Sequence, residues 1–339
     1  MSRRSFLATT LGGTLAGLLS LQRLARAETP TVRISHGYGI LYLPLMVMQD
    51  QKLLEKQAKA DGLGDIKVHW LDIDGGNAIN DAMLAGSLDI AGTGAPGFIS
   101  LWSKAHGIPR SEIIGLGALS TSALWMNTND PRIKSLADFT SKDKIALPGV
   151  KTSLSAVVLE MAVAEQFGIK NYAKLDPLTI GLSHPDGLAA LLSGKGDITA
   201  HFTSPPFSYQ ELEDPRIHRA FSSTEILGNI TLDVVYSLKR FADKNPALIK
   251  VFTAAQDQAN AYIAANRKGA AETFLRVSKI KMPLKMVEKI LADPDTRFSS
   301  TPDGVMQYAE FMHQAGIIKI LPGKWTDLFV DELANRQGS

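Results

Sequence analysis

One nine-residue pattern occurs twice in this chain. Ala82-Met83-Leu84-Ala85-Gly86-Ser87-Leu88-Asp89-Ile90 matches Ala190-Leu191-Leu192-Ser193-Gly194-Lys195-Gly196-Asp197-Ile198, with Gly86 to Gly194 and Asp89 to Asp197 both 108 residues apart. Each copy reads as the end of an apolar helix, a glycine suited to the left-handed position after it, and the start of a strand. Each then runs into a proline-bearing loop, Thr93-Gly94-Ala95-Pro96 in the first and Thr203-Ser204-Pro205-Pro206 in the second. A helix–glycine–strand unit repeated at this distance predicts two similar α/β lobes.

The segments around the repeat fit that reading. Residues 31–35 alternate and are β-branched, which predicts a strand. Residues 41–54 predict a helix that tolerates Pro44 in its first turn. A strand at 66–73, a helix at 77–85, a strand at 88–91, a helix at 98–105 and a strand at 113–119 follow. The pattern restarts with a strand at 144–147, a helix capped by Thr152 or Ser153, a helix at 188–192 and a strand at 197–201. The last third predicts helices: Asn245 as cap with Pro246 at the first helical position, then 267–277, 284–291 and 303–315. Residues 336–339 predict a fraying tail. Strands alternating with helices predict an α/β chain with mainly parallel sheets.

The first 27 residues predict an export leader. Ser2-Arg3-Arg4-Ser5-Phe6-Leu7 fits a twin-arginine motif, 5–21 is uncharged but too short and glycine-diluted to span a membrane, and Ala25-Arg26-Ala27 fits a cleavage site. A soluble protein outside the cytoplasm is expected. The chain carries +2, and Arg3, Arg4, Arg23 and Arg26 supply four positive charges with no acid, so the mature part is at −2. That balance gives no electrostatic footprint for nucleic acid. The chain has no cysteine, which excludes disulfides, thiolate metal sites and cysteine nucleophiles.

Gly92-Thr93-Gly94-Ala95-Pro96-Gly97 fits the glycine pattern of dinucleotide-binding turns. It lies in the third strand–helix unit rather than the first, contains Pro96, and lacks an acid at a strand end ~20 residues on. The reading preferred is an anion site of backbone N–H groups at a helix start. The seven histidines show no metal-ligand spacing, and no metal or cofactor is expected.

Ligands of open parallel sheets bind beyond the carboxyl ends of strands. Here those loops hold His36, Gly37, Tyr38 and Gly39; Gly75, Gly76 and Asn77; Thr93 and Gly94; Lys151, Thr152 and Ser153; and His201, Phe202 and Thr203. The candidate ligand-binding residues are therefore Tyr38, Gly76, Asn77, Thr93, Gly94, Thr152, Ser153, Phe202 and Thr203, with Tyr38 and Phe202 as flat apolar walls.

These features together resemble the periplasmic substrate-binding proteins of nitrate/sulfonate/taurine-type ABC importers, a superfamily that includes thiamine-precursor binders. The resemblance spans about 31–329 and rests on the Gly-Tyr after the first strand, the helix carrying Pro44, the repeated Gly-x-x-Asp-Ile and the Asn245-Pro246 helix. It implies a two-lobed fold of the type II binding-protein kind, with crossings near 120–125 and 226–233. Lobe one would hold 28–122 and 228–339, and lobe two 123–227. It implies contact loops at Gly37-Tyr38, Gly76-Asn77, Thr93-Gly94 and Thr152-Ser153. It also implies capture of a small organic or inorganic anion in the cleft, a membrane permease as partner, a monomer, and no catalysis. Enzymes of the superfamily rely on cysteine, which is absent here. Two rivals remain at this point: a periplasmic oxidoreductase built on the glycine turn, and a two-lobed ligand sensor.

Overall fold

The computed structural model describes residues 31–339 except 38, 74, 75, 152 and 195, and at 72, 76 and 77 the backbone only. The leader, its cleavage site, Tyr38 and Thr152 therefore lie outside the described residues.

The chain begins with β1 (Thr31–His36), α1 (Leu43–Gln51), α2 (Leu53–Ala60), β2 (Lys67–Asp72), α3 (Gly76–Leu84), β3 (Ile90–Gly94), α4 (Ala95–Ala105) and β4 (Ile113–Thr121). It continues with β5 (Trp125–Thr128), β6 (Ile145–Leu147), α5 (Leu154–Phe167), β7 (Thr179–Gly181), α6 (His184–Ser193), β8 (Ala200–Thr203), α7 (Phe207–Glu211), β9 (His218–Ser222) and α8 (Ser223–Leu227). It closes with β10 (Thr231–Leu238), α9 (Lys239–Lys244), α10 (Pro246–Ala265), α11 (Arg267–Ser278), α12 (Leu284–Ala292), β11 (Arg297–Phe298) and α13 (Val305–Gln314).

The strands form two sheets, ordered β11-β4-β10-β3-β1-β2 and β7-β6-β8-β5-β9. The chain leaves the six-stranded sheet between Thr121 and Trp125 and returns between Leu227 and Thr231. Both sheets are mainly parallel in strand direction, but each has an antiparallel strand inside it: β10 between β3 and β4, and β5 between β8 and β9. Periodicity missed both, because β10 is buried along its whole length and so shows no alternation of apolar and polar faces.

The repeat survives as geometry. Gly86 and Gly194 stop α3 and α6 with φ of 72° and 58°, and the strands that follow, β3 and β8, are interior to their sheets. The acid of the motif behaves differently in the two copies. Asp89 accepts from Arg33 N at 2.8 Å and Nε at 2.9 Å through Oδ2, and from Nη2 at 2.7 Å through Oδ1, which pins β3 to β1. Asp197 is exposed.

Helix α1 is apolar and buried from Leu43 to Met48, packed against α10 and α11, and only its last turn, Gln49 to Gln51, is polar. The 41–54 helix expected from sequence is two helices, broken where Lys52 takes a left-handed φ of 52°. Asn245 does stand before α10, but its side chain donates to Phe241 O at 2.8 Å rather than capping forward. The C-terminal tail does not fray. Ser339 N donates to Pro302 O, Ser339 O accepts from Val305 N, and Arg336 pairs with Asp257 at 2.8 Å. No helix among the described residues is long and apolar enough to cross a membrane.

Candidate functional site

Two helices begin at the same place from different sheets. β3 runs straight into α4, with Gly94 as the residue before the helix and Pro96 in its first turn, where its missing N–H costs nothing. α5 starts at Leu154 behind Ser153, whose hydroxyl accepts from Ala156 N at 3.1 Å. A Cβ built on Gly94 would lie 3.0 Å from the Leu154 Cβ, so the missing side chain at position 94 eases the close approach of the two starts. Gly92 serves a similar purpose: a Cβ there would lie 3.0 Å from the Tyr42 ring. The glycine turn is thus spaced for close packing against Tyr42 and Leu154.

A cavity of about 280 Å³ opens at this junction. It is near the low end of the ~300–1,000 Å³ typical of small-molecule sites. The six-stranded half contributes Gly37, Tyr42, Asn80, Thr93, Gly94 and Asp233, and a face of α4 from Gly97 through Ser100 to Lys104. The five-stranded half contributes Pro148, Gly149, Ser153, Leu154, Ser155, His184 and Ser204. At the helix starts the N–H groups of Ala95, Gly97, Leu154 and Ser155 lack acceptors within their own helices, and both dipoles present their positive ends.

The expected site residues fall into groups. Thr93, Gly94 and Ser153 lie together on the cavity wall, and Thr93 is only 1% exposed. The Ser153 hydroxyl spends its proton on Gly149 O at 2.5 Å, so it offers a ligand no donor. Thr203 stands behind the wall, 2.9 Å from His184 Nδ1. Phe202 is fully buried, stacks on Phe221 with centroids 5.7 Å apart, and is core rather than cavity wall. Neighbouring strand residues point to opposite faces, so Phe202 and Thr203 could not both face one cleft. Gly76 and Asn77 open α3, and the Asn77 side chain lies outside the described atoms.

Sequence reading passed over several residues of this wall, among them Tyr42, Asn80, Asp233 and His184. Tyr42 and Asn80 sit in segments read as ordinary helix. Asp233 lies in the apolar run of β10, and an acid inside such a run was the signal to follow. Burial pushes the Asp233 carboxyl up to about 6, while the Tyr42 and Ser120 hydroxyls beside it pull the other way. Burial and the neighbouring His201 push His184 down to about 3, so its ring is neutral. Among the described residues no group of three or more His, Asp or Glu is arranged to hold a metal ion.

No curated protein sequence matches the chain. Solved structures do. The periplasmic aliphatic sulphonate binding protein SsuA from Escherichia coli aligns with a TM-score of 0.67 at 19% identity, covering 88% of this chain and 98% of its own. The alkanesulfonate-binding protein SsuA from Xanthomonas axonopodis pv. citri, bound to MOPS, aligns at 0.64 and 18%, covering 87% and 96%. The periplasmic nitrate-binding protein NrtA from Synechocystis PCC 6803 aligns at 0.64 and 13%, covering 88% and 84%. At these identities the likeness establishes a periplasmic binding-protein fold. The sequence profile of the NMT1-like family matches residues 25–277, well over half of the chain. The chain belongs to the NMT1-like family.

Proposed function

We propose that this protein is the extracytoplasmic solute-binding component of an ABC importer, capturing one small organic or inorganic anion between its two halves and delivering it to a membrane permease. The observation that carries the reading is the meeting of α4 and α5 at one cavity. Unsatisfied N–H groups and two positive helix ends attract an anion without burying a full positive charge. Similarity to sulfonate- and nitrate-binding proteins supports an anionic ligand. The lobes would be 28–122 with 228–339, and 123–227, hinged at the two crossings, and ligand bridging both would favour the closed form. Thr93, Gly94 and the starts of α4 and α5 would hold the acidic end. The leader would send the folded monomer to the periplasm by the twin-arginine route, and no reaction would be catalysed. The glycine turn gives the oxidoreductase reading little support, since Tyr42 and Leu154 account for Gly92 and Gly94.

The test is a thermal-shift screen of the purified protein over nitrate, sulfonates and carboxylates. A ligand at 100 times its Kd stabilises the native state by ~2.7 kcal/mol, enough to raise the melting temperature visibly. A purified protein that carries a flavin or nicotinamide absorption band and responds to no anion would overturn the reading.

A further inference from the structure

Asp233 is an acid inside the fully buried strand β10 and is itself 2% exposed. The ladder explains how it comes to line the cavity. Against β4 the register of β10 slips on both sides of this residue, between Thr231 and Asp233 and again between Asp233 and Val234. Such an irregularity re-aims the side chain it carries. Asp233 lines the cavity, while Val234 packs in one core and Val235 in the other. Across the ladder with β3 its partner is Gly94, the residue before α4. The acid therefore stands beside a helix start that attracts anions.

That placement disfavours an ionised Asp233. The Tyr42 and Ser120 hydroxyls lie beside the carboxyl, yet its Oδ2 has no hydrogen-bond partner among the described residues. A buried carboxylate oxygen without a donor is costly. An anion at the start of α4 would add repulsion between two like charges in a poorly screened site. A single proton removes both penalties. Protonated on Oδ2, the carboxyl carries no charge, still accepts from a hydroxyl through Oδ1, and turns its unpartnered oxygen into a donor. An O–H bond to an anionic oxygen is short and strong.

We propose that Asp233 binds the anion as a neutral carboxylic acid, donating its proton from Oδ2 to a ligand oxygen beside the start of α4, so that capture takes up a proton from solvent. The proposal rests on the reading above and adds to it a recognising residue and a proton. Burial already pushes the carboxyl up to about 6 in the empty protein, and a bound anion raises it further. Below that pH the proton is in place before the ligand arrives. Above it each pH unit lowers affinity by up to about tenfold, because every anion bound must bring a proton with it. The other titratable or charged side chains around the carboxyl are Tyr42, Tyr308 of α13, Lys104 of α4 and His184 across the cavity. His184 is pushed down to about 3 and stays neutral through this window.

The test is calorimetric titration of the purified protein with nitrate, methanesulfonate and ethanesulfonate, in amine buffers from pH 5 to pH 8. These probes are anions of strong acids and keep their charge throughout. The tightest-binding of them should lose about thirtyfold or more in affinity between pH 5 and pH 8. At the upper end, heats measured in buffers of different ionisation enthalpy should report uptake of about one proton per anion. Asp233→Asn keeps a donor and cannot ionise, so its profile should be flat and its affinity at pH 8 within about threefold of the unaltered protein's at pH 5. An affinity of the unaltered protein that is flat, or that rises with pH, would overturn the proposal and leave the small-anion reading standing. A falling profile that persists in a folded Asp233→Asn protein would take the proton away from Asp233 and overturn it as well. Binding of no probe at any pH would overturn both readings. The profile and proton count of the unaltered protein decide these outcomes even if Asp233→Asn failed to fold.

Discussion

The Tyr209 hydroxyl donates a hydrogen bond to the Asp293 carboxylate, joining α7 of the five-stranded half to the segment after α12 in the other half. The contact belongs to a clasp. Asp295 accepts from Thr224 Oγ1 at 3.0 Å and Asn229 Nδ2 at 3.3 Å, and the Ser122 and Thr296 hydroxyls lie 3.0 Å apart. Residues 293–296 therefore touch both places where the chain crosses between the sheets.

Tyr209→Phe removes the donor and leaves a half-buried carboxylate short of a partner. A hydrogen bond to a charged group contributes ~1.5–3 kcal/mol. Urea denaturation at neutral pH should show a loss of that order; an unchanged midpoint would mean the clasp does not form in solution.

Asp233 predicts a pH signature in the ligand-free protein. Its folded-state value of about 6 lies above the ordinary 3.8, so the fold holds its proton over a range in which the unfolded chain has released it. Its share of stability is complete below about pH 4 and is lost as pH rises through about 6. The distance between those two values corresponds to roughly 3 kcal/mol. Asp233→Asn should therefore be more stable than the native protein at pH 8, with the gap closing toward pH 4. The groups beside the carboxyl, Tyr42, Ser120 and Tyr308, are hydroxyls and carry no charge in this window. A gap that stays constant with pH would contradict the assignment.

Ser153→Ala separates capping from recognition. With its proton on Gly149 O and a lone pair on Ala156 N–H, Ser153 serves its own helix. The variant should lose ~1 kcal/mol of stability, as for other lost caps, while affinity for the tightest-binding anion changes by less than about threefold. A tenfold loss of affinity at unchanged stability would make the hydroxyl a ligand contact after all.

Deleting residues 336–339 should lower stability by about 1–3 kcal/mol, because Arg336 bridges to Asp257 and Ser339 bonds to both Pro302 and Val305. Thermal melts of the truncated chain would show it, and an unchanged melting temperature would restore the expectation of a frayed end.

What the sequence made legible was local. Gly86 and Gly194 marked helix stops, Pro44 fell in a first turn, and Thr152 or Ser153 was placed as a cap, a role that Ser153 takes, because each depends on a few adjacent residues. The two-lobed α/β architecture followed from the repeat. What stayed hidden depends on partners far along the chain. His184 and His201 come together only because α6 packs against β8, so they read as two of seven scattered histidines. β10 lies inside the sheet between β3 and β4 with α3, α4 and α9 packed against it, and the burial of its whole length removes the alternation that would have revealed it. Phe202 was read as cleft wall from its place at a strand end, but strand parity turns it into the core.

A crystal structure of the protein with the tightest-binding compound from the anion screen tests the central claim most directly. The account predicts density between the two sheets, with an acidic group within hydrogen-bond distance of the N–H groups of Gly97, Leu154 or Ser155. A ligand bound outside this cavity, or inside it with no contact to either helix start, would contradict the account.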